Sequence, residues 1–234
     1  MTPGVTPGMT PGVTPPPAYH HGNLRRALLD AAWEIADSQG VEAVSLRAVA
    51  RRAGVSHAAP HHHFPDKAAL VEALAVEGYD RFTEALAAAG RERPGNALDR
   101  MGAVGMAYVL FAHDHTPTFR LMNRPELRTA PGDTASPVAQ AAGRAFAVLT
   151  RAIEDAQAAG LVAHGDSQPW ALMAWSGVHG LAMLSIDGLL APLCPHAKPD
   201  VAAITRTMLL AMGAGLFVRR PDDLPAGLPD WAVS

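Results

Sequence analysis

The chain has 234 residues, of which 49% are hydrophobic, and a formal net charge of -3 at pH 7. This length and composition are typical of a folded soluble protein with one sizeable core or two small domains. The single cysteine, Cys194, excludes an internal disulfide framework and favours the reducing cytoplasm. No apolar run reaches the ~20 residues of a membrane span, and the N-terminus lacks the features of a signal peptide. We therefore expect a cytoplasmic protein without a membrane partner.

The charge is unevenly distributed along the chain. Residues 18–67 hold six Lys/Arg, five Asp/Glu and six of the eleven histidines, whereas the remainder is acidic. A protein that coats nucleic acid non-specifically would be basic overall, so the net charge argues against that class. The N-terminal third is the mildly basic end.

The first part of the chain contains strong start and stop signals. Residues 1–17 repeat a Thr-Pro-Gly-Val/Met unit, which predicts a disordered tail. A helical period begins after Asn23, an N-cap candidate, and Gly40 ends it. Further helices are predicted at about 45–53, 57–64 and 67–89, punctuated by the cap candidates and breakers Ser45, Gly54, Ser56, Pro65 and Asp66.

The second part is also helical in pattern. Helices are predicted at about 96–113, 117–123, 137–159, 168–190 and 200–218, with Asn96, Ser136 and Ser167 as start signals and a loop at 124–135. No segment shows the alternation of a strand. We predict an all-α fold with a disordered tail at 1–17, a helix-turn-helix domain at 18–66 and a helical bundle at 67–234.

The segment Ser45–Phe64 has the form of a helix-turn-helix. Ala50 and Gly54 are small enough for two short helices to meet at a steep angle, and such an angle lets the second helix enter a major groove. Spacing alone leaves a purely structural helix pair equally open.

The local sequence goes further than the spacing. Residues 45–70 read SLRAVARRAGVSHAAPHHHFPDKAAL, and the likeness continues back through YHHGNLR at 19–25. This ungapped stretch resembles the DNA-binding domain of the TetR family of transcriptional regulators. The resemblance implies a three-helix DNA-binding domain joined to a helical ligand-binding and dimerisation domain. Such a protein is usually a dimeric repressor, without enzyme activity or cofactor, that a small molecule releases from palindromic operator DNA.

The resemblance also implies which residues contact DNA. Ser45 and Arg47 match phosphate or base contacts of the second helix, and Lys67 matches a phosphate-binding lysine. His61 stands where tyrosine is common, so a phosphate contact there becomes weaker or pH-sensitive, because imidazole changes its charge near neutral pH. Pro60 predicts a distorted first turn of the recognition helix. The recognition helix would present Ser56, His57, Ala58, His61 and His62.

The histidines leave two alternatives open. His57 and His61 lie four apart, and His113 and His115 flank Asp114, so a zinc or nickel site is one alternative to groove contacts. A helical enzyme that uses the residues 113–115 or His179 is another. No nucleophile with a nearby base, phosphate-binding loop or paired carboxylate accompanies them.

The C-terminal half resembles a TetR-family subgroup named for a Trp-His-Gly signature, through Trp175, His179 and Gly180. Trp175 and His179 share a helix face, and either packed core or a ligand pocket explains them. Methionines and aromatic residues suit an adaptable apolar cavity for a hydrophobic effector. The predicted lining is Met101, Met106, Tyr108, Leu110, Phe111, Phe119, Met122, Phe146, Trp175, His179 and Met183.

Small residues favour close helix contact in the last two predicted helices. Ala174, Gly177 and Gly180 lie in one, and Ala211, Gly213 and Gly215 in the other. These helices, at 168–190 and 200–218, are the predicted homodimer interface. A homodimer would place two recognition helices about 34–36 Å or somewhat more apart on successive major grooves.

Overall fold

The structure, a computed structural model, describes residues 24–127, 134–193 and 199–213. In these ranges the regular structure is entirely helical, so the all-α prediction is confirmed. Short 3₁₀ helices lie at Val41–Ala43, Ala59–His62, Pro125–Leu127 and Ala191–Leu193. The α-helices are α1 (Leu24–Gln39), α2 (Leu46–Arg52), α3 (Lys67–Glu92), α4 (Ala97–Asp114), α5 (Thr116–Met122), α6 (Pro137–Ala158), α7 (Ser167–Ile186) and α8 (Val201–Met212).

Side-chain caps fix several helix starts where the sequence predicts them. Ser45, Asp66 and Ser136 each accept a hydrogen bond from the backbone N–H three residues later, at the starts of α2, α3 and α6. Asn96 and Asp99 form a capping box at the start of α4. These polar side chains satisfy N–H groups that the helix itself leaves without an acceptor.

The start of α7 differs from the prediction by one residue. Asp166, not Ser167, is the N-cap, and its carboxylate accepts a hydrogen bond from the Gln168 N–H at 3.0 Å. Ser167 already belongs to the helix, and its hydroxyl lies 3.1 Å from Glu154 Oε1. Asp166 occupies the N-cap position because a carboxylate is a strong cap and also complements the positive end of the helix dipole.

Other sequence predictions fall on residues outside the described ranges. These are the tail at 1–17, the cap Asn23, residues 128–133 of the loop at 124–135, Cys194, and the end of the last predicted helix with Gly215.

Helix α3 is shared by both halves of the molecule. With 26 residues it spans ~39 Å. Its buried Leu70 and Leu74 belong to the same apolar core as Leu28 of α1, while Phe82 packs against aromatic rings of α4 and α5. One continuous core therefore joins the N-terminal helices to the C-terminal bundle.

An ionic cluster also fastens α1 to α3. Arg26 pairs with Asp30 on its own helix and with Glu77 of α3 at 3.0 Å, and the hydrogen bond from Arg26 lowers the pKa of Asp30. Arg81 pairs with the same Glu77 at 2.5 Å and lies 4.7 Å from the centre of the Trp33 ring. A rotation of α3 would break these contacts with α1.

Glycines let α8 approach α4 and α7 closely. A Cβ at Gly105 would lie 2.7 Å from Leu209 Cδ2, and one at Gly177 would lie 3.3 Å from Met212 Sδ. Gly177 thus serves packing within the chain, whereas a Cβ at Gly180 would meet open space. None of the helices in the described ranges is both long and apolar enough to cross a membrane.

Candidate functional site

The turn between α2 and the following segment has the compact form that the sequence predicts. Val49 and Ala50 are fully buried at the elbow. The Ala50 carbonyl accepts a hydrogen bond from the Val55 N–H at 3.0 Å, and Gly54 adopts a φ of 70°. This left-handed conformation favours glycine, so Gly54 ends α2 and redirects the chain.

The segment after the turn differs from the helix that the sequence predicts. Instead of a regular helix at 57–64, the chain forms a turn followed by the 3₁₀ helix Ala59–His62. Pro60 has no N–H to donate to the Ser56 carbonyl, and an α-helix beginning at 57 would require that bond. The N–H groups of His61 and His63 instead bond to carbonyls three residues back, at 3.2 and 2.9 Å.

Most of the residues predicted to contact DNA are exposed around this segment. Ser56, His57, Ala58, His61 and His62 follow the turn in one short stretch. His61 Nδ1 lies 3.3 Å from the Pro65 carbonyl oxygen, so its ring is already oriented by the backbone.

Three further predicted residues lie on helix starts. Arg47 is exposed in the first turn of α2, whereas Ser45 is half-buried because its hydroxyl caps that helix. Lys67 is exposed at the start of α3, where its Nζ donates to the Glu42 carbonyl at 3.2 Å. Because the Ser45 hydroxyl acts as an acceptor in this cap, its own proton can still be donated to another group.

A buried aromatic ring follows the 3₁₀ helix closely in the chain. Phe64 is 2% exposed, and Pro60 is buried beside it. The guanidinium of Arg25 lies 5.4 Å from the centre of the Phe64 ring, a cation–π contact worth ~0.5–1 kcal/mol. Sequence reasoning missed this role of Arg25, which lies inside the stretch that carries the family resemblance.

The C-terminal bundle contains a cavity of about 1150 Å³ that is partly open to solvent. Its walls come from α3, α4, α5, α6, α7 and α8. The cavity therefore lies beside α3, the helix that begins directly after the helix-turn-helix. Of the predicted lining residues, the structure brings seven to this cavity: Met101, Met106, Tyr108, Leu110, Met122, Phe146 and Trp175.

The other predicted residues lie elsewhere. Phe111 and Phe119 are buried around the ring of Phe82, at centroid distances of 5.0 and 6.0 Å, and so belong to the core. Met183 is half-buried and packs against the same core. His179 contacts the cavity wall through Tyr108 rather than lining it.

Tyr108 connects the two residues of the Trp-His-Gly signature. Its hydroxyl accepts a hydrogen bond from Trp175 Nε1 at 3.2 Å and lies 2.9 Å from His179 Nδ1. The rings of Trp175 and His179 stack at 5.1 Å. Burial raises the pKa of the Tyr108 phenol above its usual value, so this hydroxyl stays protonated. Trp175 is 37% exposed and lines the cavity, so it is not simple core.

Sequence reasoning missed the polar residues of the cavity wall. Arg93, Asp99, Asn123 and Arg206 all line it. The signal for Arg206 was present, since it is the one charged residue between Val201 and Met212.

The alternatives of a metal site and an enzyme site gain no support. Among the described residues no group of three or more His, Cys, Asp or Glu could hold a metal ion. His115 ends α4 and packs against the Phe111 ring at 4.7 Å. It is a helix-terminal residue with an aromatic neighbour.

Comparison with protein families agrees with this organisation. Residues 28–74 match the model of bacterial regulatory proteins of the tetR family, and residues 101–212 match the tetracyclin repressor-like C-terminal domain. The two models together cover about two thirds of the chain and coincide with the helix-turn-helix and the cavity-bearing bundle. The chain belongs to the TetR family.

Similar proteins extend this result. The transcriptional repressor KstR of Rhodococcus jostii (strain RHA1) is 42% identical over 79 residues, which cover 33% of this chain and 35% of that protein. The chain matches less than half of the length of its curated relatives. A solved protein of unknown function from Rhodococcus sp. RHA1 is 38% identical, with a TM-score of 0.75 over 87% of this chain and 100% of that one.

A more distant likeness concerns the fold alone. The regulator FadR from Bacillus subtilis, solved in complex with stearoyl-CoA, is 18% identical, with a TM-score of 0.62 over 82% of this chain and 99% of that one. The family model places residues 28–74 among the bacterial regulatory proteins of the tetR family, and the named curated relatives are HTH-type transcriptional regulators.

Proposed function

We propose that this TetR-family regulator is a cytoplasmic, homodimeric repressor that leaves a palindromic operator when a small, mainly hydrophobic effector fills the C-terminal cavity. The observation that carries the proposal is that one helix, α3, both begins at the helix-turn-helix and forms a wall of a cavity of about 1150 Å³. In this proposal residues 18–66 bind DNA, and residues 67–234 bind the effector and the partner subunit.

The exposed residues of the N-terminal domain support the DNA-binding part. Arg47 has no carboxylate partner in the described part of the chain, so its guanidinium is available to a phosphate or a guanine edge. Ala58 is exposed in residues 57–64, here called the recognition segment, and offers a methyl group to thymine, while the neighbouring histidines supply polar contacts. The proposed contacts are Ser45, Arg47, Ser56, His57, Ala58, His61, His62 and Lys67.

The surface of α7 and α8 supports the homodimer. Leu172 and Leu184 of α7 are 45% and 41% exposed. The helices contain no carboxylate, and Arg206 is their one Lys or Arg. An exposed apolar face of this kind is typical of a subunit interface.

Release of DNA would be a shift between two populations. The effector would bind more tightly to a dimer whose two recognition segments have a spacing that does not fit the operator. The affinity for the operator then falls by the difference in effector-binding free energy between the two spacings. Helix α3 would act as the lever, since Tyr79, Phe82 and Leu86 touch the cavity while Asp66 and Lys67 lie at its DNA-proximal end. We retain the Trp-His-Gly subgroup as a proposal, supported by the contacts of Trp175 and His179 with Tyr108.

The proposal is tested by selecting duplexes from a random pool with the full chain and measuring the affinity of the enriched sequence by gel shift at several salt concentrations. We expect an inverted repeat, and a protein of twice the chain mass in light scattering. Arg47→Ala should weaken binding and lower the salt slope by about one. Arg151→Ala, which removes an exposed arginine of α6, is the matched control and should leave both unchanged. Enrichment of no sequence over the random pool would refute the proposal.

A further inference from the structure

The charges around the cavity are few and unbalanced. Of the described residues that line it, Arg93, Asp99 and Arg206 carry a charge, and the rest of the wall is mainly apolar. An apolar cavity with a small number of placed polar groups is the usual form of a small-molecule site, in which the polar groups set the orientation of the ligand.

At one end of the cavity the charges nearly balance. Arg93 follows the end of α3, and Asp99 lies in the first turn of α4, so a guanidinium and a carboxylate both belong to the α3–α4 connection, although the described residues show no ion pair between them. Asp99 is further engaged by the Asn96 N–H at 2.9 Å in the capping box. This end has little net charge to attract a ligand.

Arg206 lies in a different setting. It projects from α8, beside the lining residues Leu209, Leu210 and Met212. Helices α7 and α8 contain no Asp or Glu, and the two aspartates of α4 lie at its ends. In the described part of the chain no carboxylate lies within ion-pair distance of Arg206. Its positive charge is therefore uncompensated at the rim of an apolar space.

We infer that the ligand of this cavity is an amphiphilic organic acid, with an apolar body against the methionine and aromatic wall and a carboxylate held by Arg206. The inference rests on the proposed function and refines it, since a hydrophobic effector by itself needs no charge. A planar guanidinium binds a carboxylate through two parallel hydrogen bonds, which fixes the head of such a ligand. The cavity of about 1150 Å³ slightly exceeds the usual ~300–1000 Å³ range for ligand pockets, so it accepts a body larger than a single ring.

The test compares two probes of equal chain length, dodecanoate and dodecanol, by isothermal titration calorimetry on the full chain. We expect dodecanoate to bind about ten-fold more tightly, with one molecule per chain. Arg206→Gln should abolish this preference while leaving the affinity for dodecanol unchanged. Arg93→Gln is the matched control and should retain the preference.

Each contrary outcome is informative. Equal affinities of the two probes would overturn the assignment of a carboxylate to the ligand, but would agree with a hydrophobic effector. Loss of the preference in Arg93→Gln but not in Arg206→Gln would overturn the role of Arg206, and binding of neither probe would overturn the inference altogether. Arg206→Met, which keeps the apolar stem, guards against a folding defect peculiar to Arg206→Gln. Operator selection uses neither probe, so failure of the proposed function appears in a separate assay.

Discussion

Arg124 Nη1 donates a hydrogen bond to Glu42 Oε1 at 2.6 Å, across 82 positions of the chain. Arg124 follows Met122 and Asn123, which line the cavity, whereas Glu42 lies in the 3₁₀ helix just before the helix-turn-helix. The Glu42 carbonyl also accepts from Lys67 Nζ, so both halves of the molecule meet at one residue. The pair is thus a second connection, besides α3, between the cavity wall and the proposed DNA-contact surface.

The first prediction concerns this pair. In a double-mutant cycle of Arg124→Gln and Glu42→Gln, we expect a coupling free energy of about 0.5–1 kcal/mol, because Glu42 is mostly exposed and solvent screens the charges. Urea unfolding at low and high salt measures it, and the coupling should shrink at high salt. A coupling that is independent of salt would contradict an ionic origin.

The second prediction concerns the ring beneath the recognition segment. Phe64→Ala should lower the free energy of unfolding by about 3–5 kcal/mol, since it leaves a cavity where a ring is 2% exposed. It should also weaken selective DNA binding, because Phe64 directly follows the exposed histidines in the chain and its N–H bonds to the Pro60 carbonyl. His63→Ala, the exposed neighbour, is the matched control and should change stability by less than about 0.5 kcal/mol. Equal effects of the two changes in denaturant melts would show that the ring does not support the segment.

The third prediction concerns the cap of α2. Ser45→Ala removes the acceptor of the Ala48 N–H and should cost about 1 kcal/mol of stability, whereas Ser45→Asn keeps a cap and should cost little. DNA binding by the stable Ser45→Asn variant then separates the two roles of this serine. If Ser45 also contacts a phosphate, binding should fall in Ser45→Asn although the fold is retained.

The fourth prediction concerns Tyr108 and pH. Burial raises the pKa of this phenol in the folded state above the ~10 of an unfolded chain. Its contribution to stability is therefore complete below pH ~10 and is lost, by up to ~1.4 kcal/mol per pH unit, as the pH rises toward the folded pKa. Tyr108→Phe should flatten this alkaline decline in chemical unfolding. The same variant should cost about 0.5–1.5 kcal/mol at neutral pH, because it removes the acceptor of the partly exposed Trp175 N–H. An alkaline decline unchanged by the substitution would assign it to other groups.

Helix boundaries were largely predictable from local chemistry. Three predicted N-caps also cap their helices in the structure: Asp66, Asn96 and Ser136. They were predictable because capping depends on only three or four consecutive residues. Asp166 was missed because two adjacent polar residues compete for one position, and the sequence does not decide between them.

The cavity was only partly predictable. Met101, Phe146 and Trp175 line it as predicted, whereas Phe111 and Phe119 lie in the core. Residue type distinguishes apolar from polar positions, but not a side chain facing a void from one facing another side chain. That difference depends on how α4 lies against α3 and α8, which is a long-range property. Pro60 indicated a distorted recognition helix in the sequence. That the segment forms a 3₁₀ helix depends on the hydrogen bonds that replace the one Pro60 cannot donate, and the sequence does not give these.

The position of Trp175 makes it an intrinsic fluorescence probe of the cavity. Its indole lines the cavity and donates to the Tyr108 hydroxyl, whereas Trp33 is buried at 4% exposure in α1. A compound that enters the cavity changes the polarity around Trp175 and leaves Trp33 in its apolar surroundings. Intrinsic fluorescence can therefore follow occupancy of the cavity without a label, and Trp175→Phe identifies which part of the emission does so.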